Sequence, residues 1–251
     1  MKAKYLISIV LVAVALLSIS MTVFAATTDS RIESSAKQSY VFMTYLQNDD
    51  IRIQSKNGAV TLMGIVLDES HKSLAQETVA GLPGVKSVDN RLEIKSEITE
   101  RNSDAWITTK VKTMLLFHRN VSASTTDVDV RDGFVTLSGD AASQAQKELT
   151  AEYAKDMEGV KDVKNEMRVA KNSKKTRTEG RKIDDASITA LVKMTLLYHR
   201  STSALNTKVE TNRGVVKLNG IAKSAAELNM ATKLANDVNG VKSVKNRMTI
   251  E

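Results

Sequence analysis

The stretch that decides the fold is Asp132-Gly133-Phe134-Val135-Thr136-Leu137-Ser138-Gly139. Two glycines, six residues apart, bracket a run in which apolar side chains alternate. Alternation at period two is the mark of a strand with one buried face. An Asp-Gly pair at its start suits a two-residue hairpin turn, because glycine accepts positive φ freely. The same stretch recurs as Asn57-Gly58-Ala59-Val60-Thr61-Leu62-Met63-Gly64 and as Arg213-Gly214-Val215-Val216-Lys217-Leu218-Asn219-Gly220. Asn57-Gly58 is a better turn of this type. Arg213-Gly214 is poorer at its first position, and Asn212 offers a turn shifted by one residue.

Working outward, a third glycine follows twenty residues later in each copy: Gly84, Gly159 and Gly240. An Asp precedes the first glycine by twenty-nine residues in all three copies: Asp29, Asp104 and Asp185. The chain is therefore a three-fold internal repeat with spacings of 75 and 81 residues. Units of that length hold only small cores.

Before each hairpin lies a helical pattern. Ile107, Val111, Met114 and Leu115 mark one face in unit two, opened by Asp104. Ile188, Leu191, Val192 and Leu196 repeat it in unit three. In unit one Ile32, Ala36 and Tyr40 hold the face, but Ser39 stands at the Met114 position. Ser30-Arg31-Ile32-Glu33 reads as a capping box at the start of that helix.

After each hairpin a second helix is expected. Ala145, Leu149, Tyr153 and Met157 recur every four residues, as do Ala226, Met230, Leu234 and Val238; Leu74 and Leu82 match them in unit one. Gly84, Gly159 and Gly240 fit the residue that ends a helix in the left-handed conformation. Each unit then closes with a strand beginning Gly-Val-Lys-x-Val-x-Asn, such as Gly159 to Asn165. A helix between the second and third strands permits a right-handed crossover. The expected fold is α+β: three tandem α-β-β-α-β domains, each a three-stranded mixed sheet with two helices on one face.

The α-β-β-α-β order, the Gly-x-Val-x-Leu-x-Gly hairpin and the terminal Gly-Val-x-x-Val-x-Asn resemble the BON domain. The resemblance covers nearly all of residues 29–250. The chain differs from two-domain members in having a third, more diverged copy, Asp29 to Lys95, placed first. The resemblance implies a non-enzymatic envelope protein, associated with osmotic stress, phospholipid contact or the chaperoning of exported proteins.

The expected boundaries are a signal peptide at 1–25, domain one at 29–95, a linker at 96–103, domain two at 104–169, a basic linker at 170–183 and domain three at 184–251. Lys2 and Lys4, the apolar run Leu6 to Leu17 and Val23-Phe24-Ala25 form a secretory leader with cleavage after Ala25. An uncleaved anchor is the alternative reading. The periplasm is the expected compartment. Cysteine is absent, which excludes disulfides, thiolate metal sites and cysteine nucleophiles.

Asn90, Asn165 and Asn246 lie at even spacing from core valines, so they point inward. A buried amide needs partners, most simply the backbone of a neighbouring loop. These asparagines and the nine glycines Gly58, Gly64, Gly84, Gly133, Gly139, Gly159, Gly214, Gly220 and Gly240 are read as turn and cap residues. His118 and His199 follow the first helices of units two and three, where a protonated imidazole suits the helix dipole. No metal-ligand spacing, nucleophile elbow, phosphate loop or dinucleotide fingerprint is present, so neither catalysis nor a cofactor is expected.

Charge gives the sharpest functional signal. The net charge is +7, falling to +5 without Lys2 and Lys4. Ala170 to Lys182 carries Lys171, Lys174, Lys175, Arg177, Arg181 and Lys182 against Glu179, a net of +5. The rest averages to neutral, which speaks against a basic nucleic-acid-binding domain. The candidate partners are an anionic phospholipid surface or unfolded exported proteins. The candidate contacts are those six cations together with Trp106, Phe117 and Tyr198, whose rings would seat in an apolar surface or pack under the following loop.

Overall fold

The computed structural model describes residues 27–95, 103–121, 123–170, 182–202 and 207–251. Unit one comprises helix α1 over 27–38, α2 (Tyr40–Thr44), β1 (Asp50–Lys56), β2 (Ala59–Val66), α3 (Glu69–Ala80) and β3 (Ser87–Ile94). Unit two has α4 (Asp104–Phe117), β4 (Thr126–Arg131), β5 (Phe134–Ala141), α5 (Gln144–Lys155), β6 (Asp162–Asn165) and β7 (Arg168–Val169). Unit three has α6 (Asp185–Tyr198), β8 (Thr207–Asn212), β9 (Val215–Ala222), α7 (Ala225–Asp237), β10 (Ser243–Asn246) and β11 (Thr249–Ile250). In each unit the second strand is central, antiparallel to the first and parallel to the last. The fold is mixed α+β with three such sheets. In units two and three the last strand is interrupted after Asn165 and Asn246, and its second half re-pairs with the same central strand.

Alternation governs the burial. Val128 and Val130 are buried while Asp127, Asp129 and Arg131 face water. Val60, Leu62, Val135, Leu137, Val216 and Leu218 form the inward columns of the central strands. The helices cover that face, with Ile107, Val111, Met114 and Leu115 in unit two and their counterparts on α6 all buried.

Several local expectations are corrected. The backbone is already helical at Thr27, so Ser30 caps nothing, and Glu33 instead accepts from the Ser55 amide at 2.8 Å. The first helix of unit one breaks at Ser39, whose hydroxyl donates to the Ala36 carbonyl and accepts from the Phe42 amide, starting α2. A serine that bonds its own backbone competes with helix continuation, which Met114 does not. Ala145 and Ala226 are exposed; the buried faces of α5 and α7 are Thr150-Tyr153-Ala154 and Ala231-Leu234-Ala235. Arg213 takes φ 51° itself, and Asn212 stays paired with Val215.

The late glycines play another part than helix caps. α3, α5 and α7 end at Ala80, Lys155 and Asp237, three or four residues earlier. Val85, Val160 and Val241 each donate to the carbonyl three residues back, and Gly84, Gly159 and Gly240 have φ of 92°, 93° and 87°. A positive φ at the third residue of such a turn is the type II signature. Pro83 stands at the second position, which that turn favours.

The three units pack on one another through α6. Eleven of its fourteen residues are buried. Lys193 Nζ lies 2.6 Å from the Glu77 carboxylate, the Tyr198 hydroxyl bonds Ser70 Oγ at 3.0 Å, and the Tyr40 amide donates to Asp184 at 2.7 Å. An apolar helix with small Ala186 and Ala190 lets neighbouring backbone approach closely, and Gly81 sits against Ala186. Of the expected linkers 96–103 and 170–183, residues 96–102 and 171–181 lie outside the described residues, as does the leader, and Ser103 caps α4.

Candidate functional site

The repeated aspartate has a specific task. In the turn of unit two, Asp132 and Gly133 have φ of 51° and 81°. Two consecutive left-handed residues aim successive N–H groups at one point and form an anion-binding concavity. Asp104 fills it: its carboxylate accepts from the Asp132 amide at 2.6 Å and the Gly133 amide at 2.8 Å. Asp185 does the same for Arg213 and Gly214, and Asp29 for Asn57 and Gly58. The Ser55 hydroxyl, then the Gly58 amide, hold the Asp29 carboxyl below the usual range. The two amides are thus taken by the chain's own carboxylate. It ties each first helix to its hairpin, which is why the twenty-nine-residue spacing repeats.

The asparagines of the last strand are also internal ties. Their partner is the second helix, not a loop. Asn90, Asn165 and Asn246 donate to the carbonyls of Lys72, Lys147 and Leu228, and accept from the amide two residues on. Every polar atom of the amide is used within the fold.

Units two and three grip each other reciprocally. The Arg119 guanidinium, after α4, donates to the carbonyls of Asn236, Val238 (3.0 Å) and Val241 (2.7 Å), at the end of α7. The Arg200 guanidinium, after α6, donates to Lys155, Met157 (3.3 Å) and Val160 (3.2 Å), at the end of α5. Backbone bonds repeat the symmetry: Asn239 donates to Phe117 at 2.9 Å, and Glu158 donates to Tyr198 at 3.2 Å. A cation on the free carbonyls of a helix end is favourable both as a hydrogen bond and against the dipole. Unit one cannot join this grip. Met43 and Thr44 stand in place of His118 and Arg119, and Pro83, without an N–H, stands where Glu158 and Asn239 donate.

The histidines sit inside the clasp and are neutral, contrary to the dipole reading. His118 is 2% exposed, and its ring stacks on Tyr153 at 3.9 Å. Burial pushes it down to about 4, against the attraction of Asp237. His199 is lowered by burial as well, opposed by Asp156. Both nitrogens of His118 lack a hydrogen-bond partner among the described residues. Removal from water here outweighs the dipole.

Lys110 is the interface residue that periodicity alone does not reveal. It is 0% exposed, donates from Nζ to the Glu158 carbonyl at 2.8 Å, and lies 3.4 Å from the Trp106 ring centroid. Burial lowers it to about 8, partly offset by Glu158. Comparison of the copies carries the signal: Leu191 occupies the same position in α6.

Of the two readings of the aromatic side chains, seating in an outside surface or packing within the protein, Phe117 and Tyr198 follow the second. Phe117 is fully buried, its ring 5.4 Å from that of Tyr45. Tyr198 is buried against unit one through Ser70. Trp106 is half-buried over Lys110. None of the three presents a free ring. Lys171, Lys174, Lys175, Arg177 and Arg181 lie outside the described residues, and Lys182 is exposed. Among the described residues no cluster of three metal-ligating side chains occurs, and no helix is long and apolar enough to cross a membrane.

The family model of the BON domain matches residues 28–96, 103–171 and 184–251. The chain is a BON-domain protein. Osmotically-inducible protein Y of Escherichia coli (strain K12) is 39% identical over 143 residues, covering 57% of this chain and 70% of that protein. Outer membrane lipoprotein DolP of Haemophilus influenzae is 33% identical over 111 residues, and the 21 kDa hemolysin of Actinobacillus pleuropneumoniae 33% over 115. The chain spans 57% and 59% of the length of these last two. The turn locks, the asparagine ties and the type II turns recur in all three BON domains, whereas the arginine clasp belongs to the second and third.

Proposed function

We propose that this BON protein is exported to the periplasm by a leader cleaved after Ala25 and acts there by binding, with an anionic phospholipid surface as its partner. The observation that carries the reading is the distribution of charge. Residues 29–169 hold 18 Lys and Arg against 22 Asp and Glu. Residues 170–183 hold six against one, and residues 184–251 ten against six. The chain is thus acidic in its first two domains and basic beyond them. A surface that concentrates cations at one end is drawn to anionic headgroups and oriented by them. The relation to a lipoprotein of the outer membrane supports an envelope setting. Co-sedimentation with phosphatidylglycerol vesicles at low and high salt tests it. Binding that falls steeply with salt is expected, since exposed charges are screened; salt-insensitive binding, or none, opposes it.

The second reading is a holdase-type chaperone for exported proteins. Ile65 and Leu67, exposed at the end of the central strand of domain one, favour it. Apolar capture strengthens or holds in salt, so the same titration separates the two.

A further inference from the structure

The outward faces of the three sheets are built from equivalent positions, and one of them breaks a rule that the others keep. In domain one, Arg91 pairs with Asp89, two residues apart on the last strand, at 2.8 Å. In domain two, Lys164 pairs with Glu166 at the equivalent positions, at 2.7 Å. In domain three these positions are Lys245 and Arg247, both exposed and both cationic. The central strand adds a third cation. Lys217 stands directly beside Lys245 in the parallel register, where the other domains have Thr61 and Thr136. Among the described residues no ion pair engages Lys217, Lys245 or Arg247; the Glu210 carboxylate, opposite Lys217 on the neighbouring strand, pairs with Lys208 at 2.8 Å and attracts Lys217 as well, so this face holds four cations, Lys208, Lys217, Lys245 and Arg247, against one carboxylate. Like charges side by side on a sheet are destabilising. Farther along the same column Ile221 stands 50% exposed, where domain two has Asp140.

We propose that this open sheet face of domain three is the surface that docks on an anionic phospholipid bilayer. The proposal rests on the reading above and names its folded contact. A net excess of three cations on neighbouring positions matches a layer of phosphates, and an isoleucine farther along the central strand suits the boundary between headgroups and acyl chains. A single-stranded nucleic acid would instead call for aromatic platforms, and the outward positions of β8, β9 and β10 hold none. The backbone of the face is held in place: Lys217 and Lys245 sit on paired strands, and the Arg247 amide, in the break after β10, donates to the Leu218 carbonyl at 2.8 Å.

The test compares two variants of the full chain with the same net charge. One carries Lys217→Thr, Lys245→Gln and Arg247→Gln, the first restoring the residue of the other two domains. The other carries Lys171→Gln, Lys174→Gln and Lys175→Gln. Both are titrated with phosphatidylglycerol–phosphatidylcholine vesicles at low salt, after thermal melting shows each folded. At about fivefold per cation, the face variant should bind about 100-fold more weakly than the wild type. The charge-matched variant should lose about tenfold at most. Equal losses, or a larger loss in the second variant, overturn the proposal. Wild-type binding with an unaffected face variant sinks this face alone, whereas a wild type that ignores anionic vesicles sinks the underlying reading with it. Ile221→Ser, which keeps every charge, should also weaken binding several-fold; undiminished affinity would show that no apolar seating occurs.

Discussion

Acidification should loosen the clasp between domains two and three through His118. The residue is buried and neutral, held down to about 4 by removal from water. In the unfolded chain it titrates near its ordinary value of 6.5. Below that value the unfolded state takes up a proton that the folded state resists. Stability is therefore fully present above about pH 6.5 and is lost progressively as pH falls toward 4. A shift of that size corresponds to about 3 kcal/mol at most. Groups that act on His118 are Tyr153 stacked from α5, Asp237 from α7 and His199 at the end of α6. Asp237 attracts the imidazolium without outweighing burial, and His199 repels it, in the same direction as burial. His199 is lowered too, so it adds in the same direction. The assay is urea unfolding of wild type and His118→Phe between pH 7 and pH 4. Phenylalanine keeps a ring on Tyr153 and cannot titrate. The free-energy difference between the two proteins should shift by about 2–3 kcal/mol across that range in favour of the variant, with carboxylate effects common to both. Parallel pH profiles would refute the reasoning.

Other outcomes follow from the same geometry. Arg119→Ala should cost about 1.5–3 kcal/mol, since it strips charge-assisted bonds from three carbonyls, and hydrogen exchange at 236–241 should quicken; unchanged exchange there would contradict the clasp. Lys110→Leu, which installs the residue of the sister helix, should be neutral or stabilising, whereas Lys110→Ala should destabilise by leaving a void; thermal melting of both variants decides it. Gly133→Val should cost about 1–3 kcal/mol, because φ is 81° there and a Cβ would lie 3.2 Å from the Gly159 carbonyl oxygen; an unmoved melting transition would reject the strained-turn account.

The repeat made much of the fold legible. Three copies of Gly-x-Val-x-Leu-x-Gly fix strand, turn and register together, because each glycine answers a local backbone demand. Hidden roles were those that depend on partners distant in sequence. Asp104 reads as a helix opener, and Ser103 caps that helix while Asp104 crosses to the turn. Gly159 reads as a helix terminator, because helix ends and type II turns ask for the same positive φ. Arg119 and Arg200 look like ordinary surface cations until the carbonyls they meet are brought from another domain. Phe117 and Tyr198 look available because aromatic side chains at helix ends carry no sign of what covers them. The average over the domains is neutral for an arithmetical reason. The acidic excess of residues 29–169 cancels the basic excess of domain three, so the average hides two segments of opposite sign.

Because the chain has no cysteine, a single one can be placed at will. Ile221→Cys, Asp140→Cys and Ile65→Cys put an environment-sensitive fluorophore at the same outward position of the third, second and first domains. On addition of anionic vesicles at low salt, the label at 221 should shift to the blue and those at 140 and 65 should not. A shift at 65 or 140 with none at 221, or no shift at any of the three, would contradict the account.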